Sequence, residues 1–267
     1  YRRAKSGPRL LGNHQKCWIW GRHPVLETLR VGQWPMLELW LEEAAGDEAD
    51  HREAVACATR LRIPVRRGAA EDLTRLCHST EHQGFLARMG EFPYATEADL
   101  MARLKEGGPA FLLLLDGIQD PHNLGAMVRS AEVFGVTAVV LAEQGQVGVT
   151  RQVVRSSAGA VNRVPLVRSG DLADLADRLR QAGVRVVGAS EKAEKTLDQF
   201  DGRGPVALVM GNEGHGHRPD LAARMDEWVR IPQAGQIGSL NAAVAAAIFC
   251  YEIGRQRRAV AKSGDEG

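Results

Sequence analysis

FLLLLDGIQDPHNLGAMVRSAEVFGVTAVVLA, residues 111–142, is the stretch that decides the fold. FLLLLDGI (111–118) opens it as an unbroken apolar run of strand length, the pattern of a strand buried on both faces. The run ends at Asp116-Gly117. Pro121 bars an early helix and Asn123 sits where an N-cap belongs, so a helix is expected from Leu124 to Phe134. Leu124, Met127, Val128, Ala131 and Phe134 would form its buried stripe. Gly135 stops it, and TAVVLA (137–142) reads as a second buried strand. Strand, helix and strand in close succession form the crossover unit of a parallel sheet.

The same alternation continues downstream. Helices are expected near 150–157 and over 171–183, then strands over 184–190 and 206–211. A helix at 218–225, a strand WVRIP (228–232) and a long helix from Ser239 follow. The fold class is therefore α/β, a mostly parallel sheet with helices on both faces, spanning residues 110–257. Upstream, residues 18–90 read as a smaller α/β unit. Its elements are a helix around Pro24–Leu29, a strand Leu37–Leu41, a helix through Ala54, Val55, Ala58 and Leu61, a short strand near Pro64–Val65 and a helix Ala70–Cys77. Residues 91–109 read as a linker with one short helix, closed by Gly-Gly-Pro. Residues 1–17 form a basic arm and 258–267 a tail.

Composition sets the outer limits. The chain has 267 residues, 44% of them hydrophobic, enough to bury a real core. Net charge is +1, so total charge does not announce a nucleic-acid partner, yet only six of the 34 basic residues are lysine. Arginine is the better bidentate phosphate ligand and stacks on bases; an arginine-favouring genome explains the bias equally well. Cys17, Cys57, Cys77 and Cys250 form no C-x-x-C pair, which suits a reducing cytoplasm and argues against zinc or redox motifs. No apolar run approaches a membrane span.

Three segments carry candidate chemistry. In the first, Arg129 points away from the apolar stripe; alone it reads as a solvated arginine near Glu132, and Asn123 alone as a cap. In the second, LVMGNEGHGHRPDL (208–221), a strand runs into a turn with Gly211, Gly214 and Gly216, where backbone can approach a ligand closely. It matches neither a P-loop nor a dinucleotide fingerprint, and His215 with His217 lack a third metal ligand. In the third, WVRIPQAGQIGSLNAAVAAAIFCYE (228–252), Ser239 would cap a helix with the stripe Leu240, Val244, Ala247, Ile248 and Tyr251. Its small Ala-rich face suits close helix packing or a dimer interface. These patterns give a ligand-binding α/β protein without naming a reaction.

Together, in order and spacing, the three segments resemble the signature motifs of the SpoU methyltransferase family. The first resembles N-x-G-x-x-x-R-[ST]-A, with Asn123, Gly125, Arg129, Ser130 and Ala131. The second resembles G-x-E-x-x-G, with Gly211, Glu213 and Gly216. The third resembles I-P-(x)-SLN-x-x-x-A, with Ile231, Pro232, Ser239, Leu240, Asn241 and Ala245. WGRHPVLETLR and His82-Gln83-Gly84 resemble the opening and close of a substrate-recognition domain carried by part of the family. SSAGAVNRVPLVR (156–168) is similar to a segment of the bacterial RlmB branch, which methylates a guanosine of large-subunit (23S) ribosomal RNA.

The resemblance implies a C-terminal trefoil knot, which periodicity would never suggest, and a homodimer. It implies S-adenosylmethionine held by Gly211, Ile231 and Leu240, and methyl transfer to a ribose 2′-hydroxyl without metal. Arg129 would serve as base or as electrostatic stabiliser, with Asn123, Glu213, Ser239 and Asn241 orienting the reacting groups. Arg151, Arg155, Arg163 and Arg168 are candidates for RNA backbone contacts; their plain alternative is a solvated basic face. A transfer-RNA target and an RNA-binding protein without catalysis are the competing readings. The small N-terminal domain weighs against the first and the intact motif residues against the second.

Overall fold

The computed structural model describes residues 10–12, 17–43, 49–107, 110–212, 214–236 and 238–264, the side chains of 260–264 excepted. The basic arm therefore lies largely outside the described residues, although Leu10 bridges to Gly90 and the Leu11 amide donates to Met89. The chain divides into two compact units. Residues 1–93 and 149–163 make the first; residues 94–148 and 164–267 make the second. Elements are numbered in chain order.

The first unit begins with β1 (Trp18–Trp20), α1 (Arg22–Val31), β2 (Met36–Glu42) and α2 (Ala49–Arg60). It continues with β3 (Val65–Gly68), α3 (Ala70–Cys77) and β4 (Phe85–Met89). Its sheet runs β1-β4-β2-β3, with only the β2–β3 pair parallel. Leu39, Leu41, Phe85, Ala87 and Ile19 fill its core.

In the second unit come α4 (Glu97–Lys105), β5 (Phe111–Leu115), α5 (Pro121–Val133) and β6 (Ala138–Ala142). The chain then enters the first unit as α6 (Arg151–Ser156) and a short 3-10 turn. Asn162 Nδ2 donates to Thr28 Oγ1 at 3.1 Å, and Arg163 pairs with Glu27 at 2.5 Å. It returns as β7 (Leu166–Ser169), α7 (Leu172–Gln181), β8 (Arg185–Ala189), β9 (Lys195–Thr196), β10 (Val206–Met210), α8 (Pro219–Ala222), β11 (Glu227–Arg230) and α9 (Ala242–Gly264).

Seven strands form the second sheet in the order β7-β6-β5-β10-β8-β11-β9, and every pairing is parallel. Every residue of β5, β6 and β10 is buried, the reason these strands read as unbroken apolar runs. Alternate residues Leu112, Leu114, Val140, Ala207 and Val209 pack with Leu175, Ala176 and Leu179 of α7 and Leu100 of α4. Phe111 points to the other face, where the Arg257 guanidinium of α9 covers its ring at 5.0 Å and α9 packs on α5. The α/β class with helices on both faces is thus as expected.

Several local expectations are corrected. The helix after β5 starts at Pro121, not Leu124: the Asp120 side chain accepts from the His122 amide, and proline at N1 is pre-set for a helix. Asn123 therefore lies inside α5. Helix α9 starts at Ala242, because Asn241 rather than Ser239 caps it; its Oδ1 accepts from the amides of Ala243 and Val244 at 2.9 and 3.2 Å. The face of α9 read as its stripe is turned outward, with Val244 and Tyr251 about half exposed. The buried side is Ala243, Ala246, Phe249, Cys250 and Ile253, since small residues let α9 approach closely. Strands β1, β4, β7 and β9 had no assignment in the sequence reading. The one short helix expected in the linker is α4, but it packs into the second unit, with Leu100 3% exposed in its core. Helix α9 extends to Gly264, through part of the expected tail.

Candidate active site

At the carboxyl ends of the parallel strands, where α/β sheets bind ligands, the second unit opens a cleft of about 1060 Å³. Gly211, Ile231, Ser239, Leu240 and Asn241 all line it. Around them stand residues after β8, among them Ser190 and Lys192, with Trp228 and Phe249 as aromatic wall. Three loops far apart in sequence thus meet at one hollow.

The glycine loop after β10 is a tight hairpin. Asn212 and Gly216 exchange backbone hydrogen bonds at 2.8 and 2.9 Å, and Gly216 has φ +71°. A Cβ on Gly211 would stand 2.7 Å from the Gly216 carbonyl carbon and 3.0 Å from the His217 amide nitrogen. Glycine at 211 is thus required by the chain's own backbone, before any ligand is considered. The Asn212 side chain ties the loop down: Oδ1 accepts from the Gly214 and His215 amides, and Nδ2 donates to the Gly117 carbonyl at 2.6 Å. On the β8 side, His217 Nε2 lies 2.8 Å from the Ala189 carbonyl oxygen, its ring edge-on to Trp228. Glu213 lies outside the described residues.

A hydrogen bond joins the first and third motifs: Asn241 Nδ2 donates to Asn123 Oδ1 at 3.0 Å. The residue that caps α9 therefore also holds the first turns of α5. Asn123 and Arg129 are not among the residues lining the cleft. Arg129 lies exposed further along α5, its side chain free to meet a substrate from solvent.

The four arginines expected at RNA are divided and engaged. In the first unit Arg151 and Arg155 lie over the Trp20 ring at 4.8 and 5.9 Å, Arg155 pairs with Glu81 at 2.7 Å, and Arg163 pairs with Glu27. Burial raises the Glu27 pKa, but the Arg163 and Arg30 guanidinium groups outweigh it and hold the carboxyl below its usual range. In the second unit Arg168 stacks on Tyr94 at 4.1 Å. A guanidinium on an aromatic face keeps its outer edge for phosphate.

Sequence reasoning missed Asp116, Asn212 and Arg218. Asp116 ends β5 and is 3% exposed, yet both its oxygens are held: Oδ2 accepts from the Arg218 amide at 3.0 Å and Oδ1 from Arg218 Nε at 2.8 Å. The available signal was a carboxylate directly after five apolar residues. Its partner 102 residues away had none. No group of three metal-ligating side chains occurs among the described residues, and none of their helices is long and apolar enough to cross a membrane.

Residues 110–251 match the family model described as the SpoU rRNA Methylase family, and residues 18–95 match the model described as RNA 2′-O ribose methyltransferase substrate binding. Among curated relatives, an uncharacterized tRNA/rRNA methyltransferase of Mycolicibacterium vanbaalenii is 39% identical over 264 residues, covering 96% of this chain and 83% of that one. Among solved structures, the SpoU methyltransferase AviRb of Streptomyces viridochromogenes, crystallised with AdoMet, aligns with a TM-score of 0.77. It is 28% identical, with 93% of this chain and 95% of that one covered. A structure concerned with 2-OH methylation of C/U34 on tRNA aligns at TM-score 0.52 and 27% identity, using 57% of this chain and 99% of that one.

Proposed function

The chain belongs to the SpoU methylase family and is an RNA methyltransferase, and on that premise we propose that it moves a methyl group from S-adenosylmethionine to a ribose 2′-hydroxyl. The proposed target is a guanosine of 23S ribosomal RNA. The observation that carries this reading is the convergence of Gly211, Ile231, Ser239, Leu240 and Asn241 on one cleft, joined to α5 by the Asn241–Asn123 hydrogen bond.

The residues present fit the cofactor. The cleft, about 1060 Å³, is large enough for a nucleoside with an amino-acid tail. Its apolar side chains Ile231 and Leu240 and the hairpin backbone at Gly211 suit a purine and ribose, and Lys192 and Ser190 supply polar contacts for the charged end. When bound, S-adenosylmethionine supplies a methyl on a sulfonium, so departure of the neutral thioether needs no metal.

The chain's own task is the nucleophile, because a ribose hydroxyl is a very weak acid. Arg129 stands exposed on α5, where its guanidinium can donate to the 2′-oxygen and stabilise negative charge as the proton passes to solvent water. A guanidinium keeps its own proton in proteins, so stabilisation rather than general base is the role we assign. Asn241 and Asn123 fix α5 against the cleft and so fix where Arg129 starts from. Ser239, Asn241 and Glu213 are assigned to orienting the ribose and its phosphate.

The ribosomal target rests on the first unit, since the structure concerned with tRNA methylation corresponds to only 57% of this chain. Arg151, Arg155 and Arg163 of that unit, with Arg168 of the second, are the proposed backbone contacts. A homodimer is supported by apolar exposure: Val133 on α5, Val244 and Tyr251 on α9 and Leu240 in the loop before it are four of five exposed large hydrophobic residues among those described. We propose the C-terminal trefoil knot on the family match; α9 is held to the 200–204 segment by Gln256 and Arg257 through Phe200 O, Gly202 N and Gly204 O.

The test is methyl transfer in vitro with labelled cofactor, offering 23S rRNA and tRNA side by side. Digestion to nucleosides should yield 2′-O-methylguanosine from the ribosomal RNA. Label on a base, or on tRNA alone, would overturn the reading.

A further inference from the structure

The loop Asp116-Gly117-Ile118, after β5, is bonded from both sides. The Asp116 amide donates to Met210 O at 2.9 Å, Gly117 O accepts from Asn212 Nδ2, and the Ile118 amide donates to Gln146 Oε1 at 2.7 Å. Three residues further on, α5 begins. Asp116 is the only buried carboxylate among the described residues. It grips Arg218, the residue that closes the glycine hairpin and starts α8, by both backbone and side chain. Asn212 holds the opening of the hairpin to Gly117 and Asp116 holds its close, so both ends of the loop 211–218 are referred to the same strand end that launches α5.

We propose that Asp116 is a positioning residue for the methyl-transfer site: through Arg218 it fixes the glycine hairpin on the cleft and holds it in register with α5. The proposal rests on the cofactor reading of the cleft. A buried carboxylate is costly unless each oxygen is satisfied, and here both are, by donors from one residue. Charge-assisted bonds of this kind are the stronger class. Arg218 is half exposed, so shortening its side chain opens no cavity, but it does leave a buried carboxylate without its countercharge, and folding of each variant is checked by thermal unfolding first.

Asp116→Asn keeps size but places an amide donor against one of two fixed donors. In the full-length protein, S-adenosylhomocysteine affinity by calorimetry should fall about tenfold or more, the scale of one lost charge-assisted hydrogen bond. KM for S-adenosylmethionine should rise in step while kcat at saturation stays within about threefold, the pattern of lost binding rather than lost chemistry. Arg218→Gln, which removes the Nε bond but keeps the backbone amide bond, should lower affinity in the same direction by a smaller factor, and the double variant should fall short of the two losses combined, because both act on the same contact. Unchanged affinity in folded Asp116→Asn, or additive losses in the double variant, overturns the proposal. Should Asp116→Asn not fold, wild-type affinity in Arg218→Gln overturns it instead. If the unaltered protein binds no S-adenosylhomocysteine, the cofactor reading is what fails. The clamp is then judged by amide exchange over 212–217 in Arg218→Gln without ligand: faster exchange supports it, unchanged exchange refutes it.

Discussion

Gly211→Ala adds one carbon where the structure has no space for it. The new Cβ would stand 2.7 Å from the Gly216 carbonyl carbon, against the 3.4 Å at which ordinary contact begins, an overlap of about 0.7 Å. The neighbour is backbone, and that backbone is locked by the Asn212–Gly216 pair and by Asn212 Nδ2 on Gly117. Side-chain rotation cannot relieve the clash, so the hairpin must open or move. Overpacking of this kind costs about 1–3 kcal/mol in stability. A binding loop displaced by several tenths of an ångström should lose about tenfold in affinity, the scale of one hydrogen bond left unmade at about 1–3 kcal/mol. The assay pairs thermal unfolding with calorimetric titration of S-adenosylhomocysteine. A folded variant with both wild-type melting and wild-type affinity would show that the hairpin neither packs as described nor holds the cofactor.

Three further outcomes are expected. Arg129→Ala should leave folding within about 0.5 kcal/mol, as exposed helix substitutions do, while single-turnover methylation at saturating RNA falls by roughly two orders of magnitude or more; near-normal transfer would return Arg129 to a solvated surface role, and rescue by lysine would favour charge over the planar fork. Glu27 has a folded pKa below its ordinary 4.5, so its contribution is present above that value and lost as pH falls through the lowered one; Glu27→Gln should flatten the fall in melting temperature from about pH 5 to pH 3, and parallel slopes would discount the Arg163 pair. Burial pushes the Cys250 thiol up to about 12 and the Cys77 thiol upward, and Cys57 alone of the four thiols is not fully buried; native labelling at neutral pH should therefore modify Cys57 first, and early modification of Cys250 would contradict the packing of α9 on α5.

The parallel sheet was legible because β5, β6 and β10 are buried on both faces and must be apolar throughout. Strand β7 was not, since Leu166–Ser169 is four residues long with an exposed arginine in it. Helix starts were misread wherever two capping side chains stood within three residues. Asp120 and Asn123 compete ahead of α5, and Ser239 and Asn241 ahead of α9; tertiary contacts chose between them. Sequence also treats 149–163 as part of one continuous domain, whereas its packing on β1 and α1 belongs to the first unit. Such an excursion leaves no local trace, because the buried Val153, Val154 and Val161 would look the same against either partner. The motif residues were visible through their resemblance to a family. The Asp116–Arg218 and Asn123–Asn241 contacts, 102 and 118 residues apart, exist only in the folded chain.

The most direct test of the account is a transcriptome-wide map of 2′-O-methyl sites in ribosomal and transfer RNA from cells with and without the gene. One 2′-O-methylguanosine in 23S rRNA should be lost, and restored by the unaltered protein but not by Arg129→Ala. Unchanged ribosomal RNA, with a ribose methyl lost from tRNA instead, would contradict it.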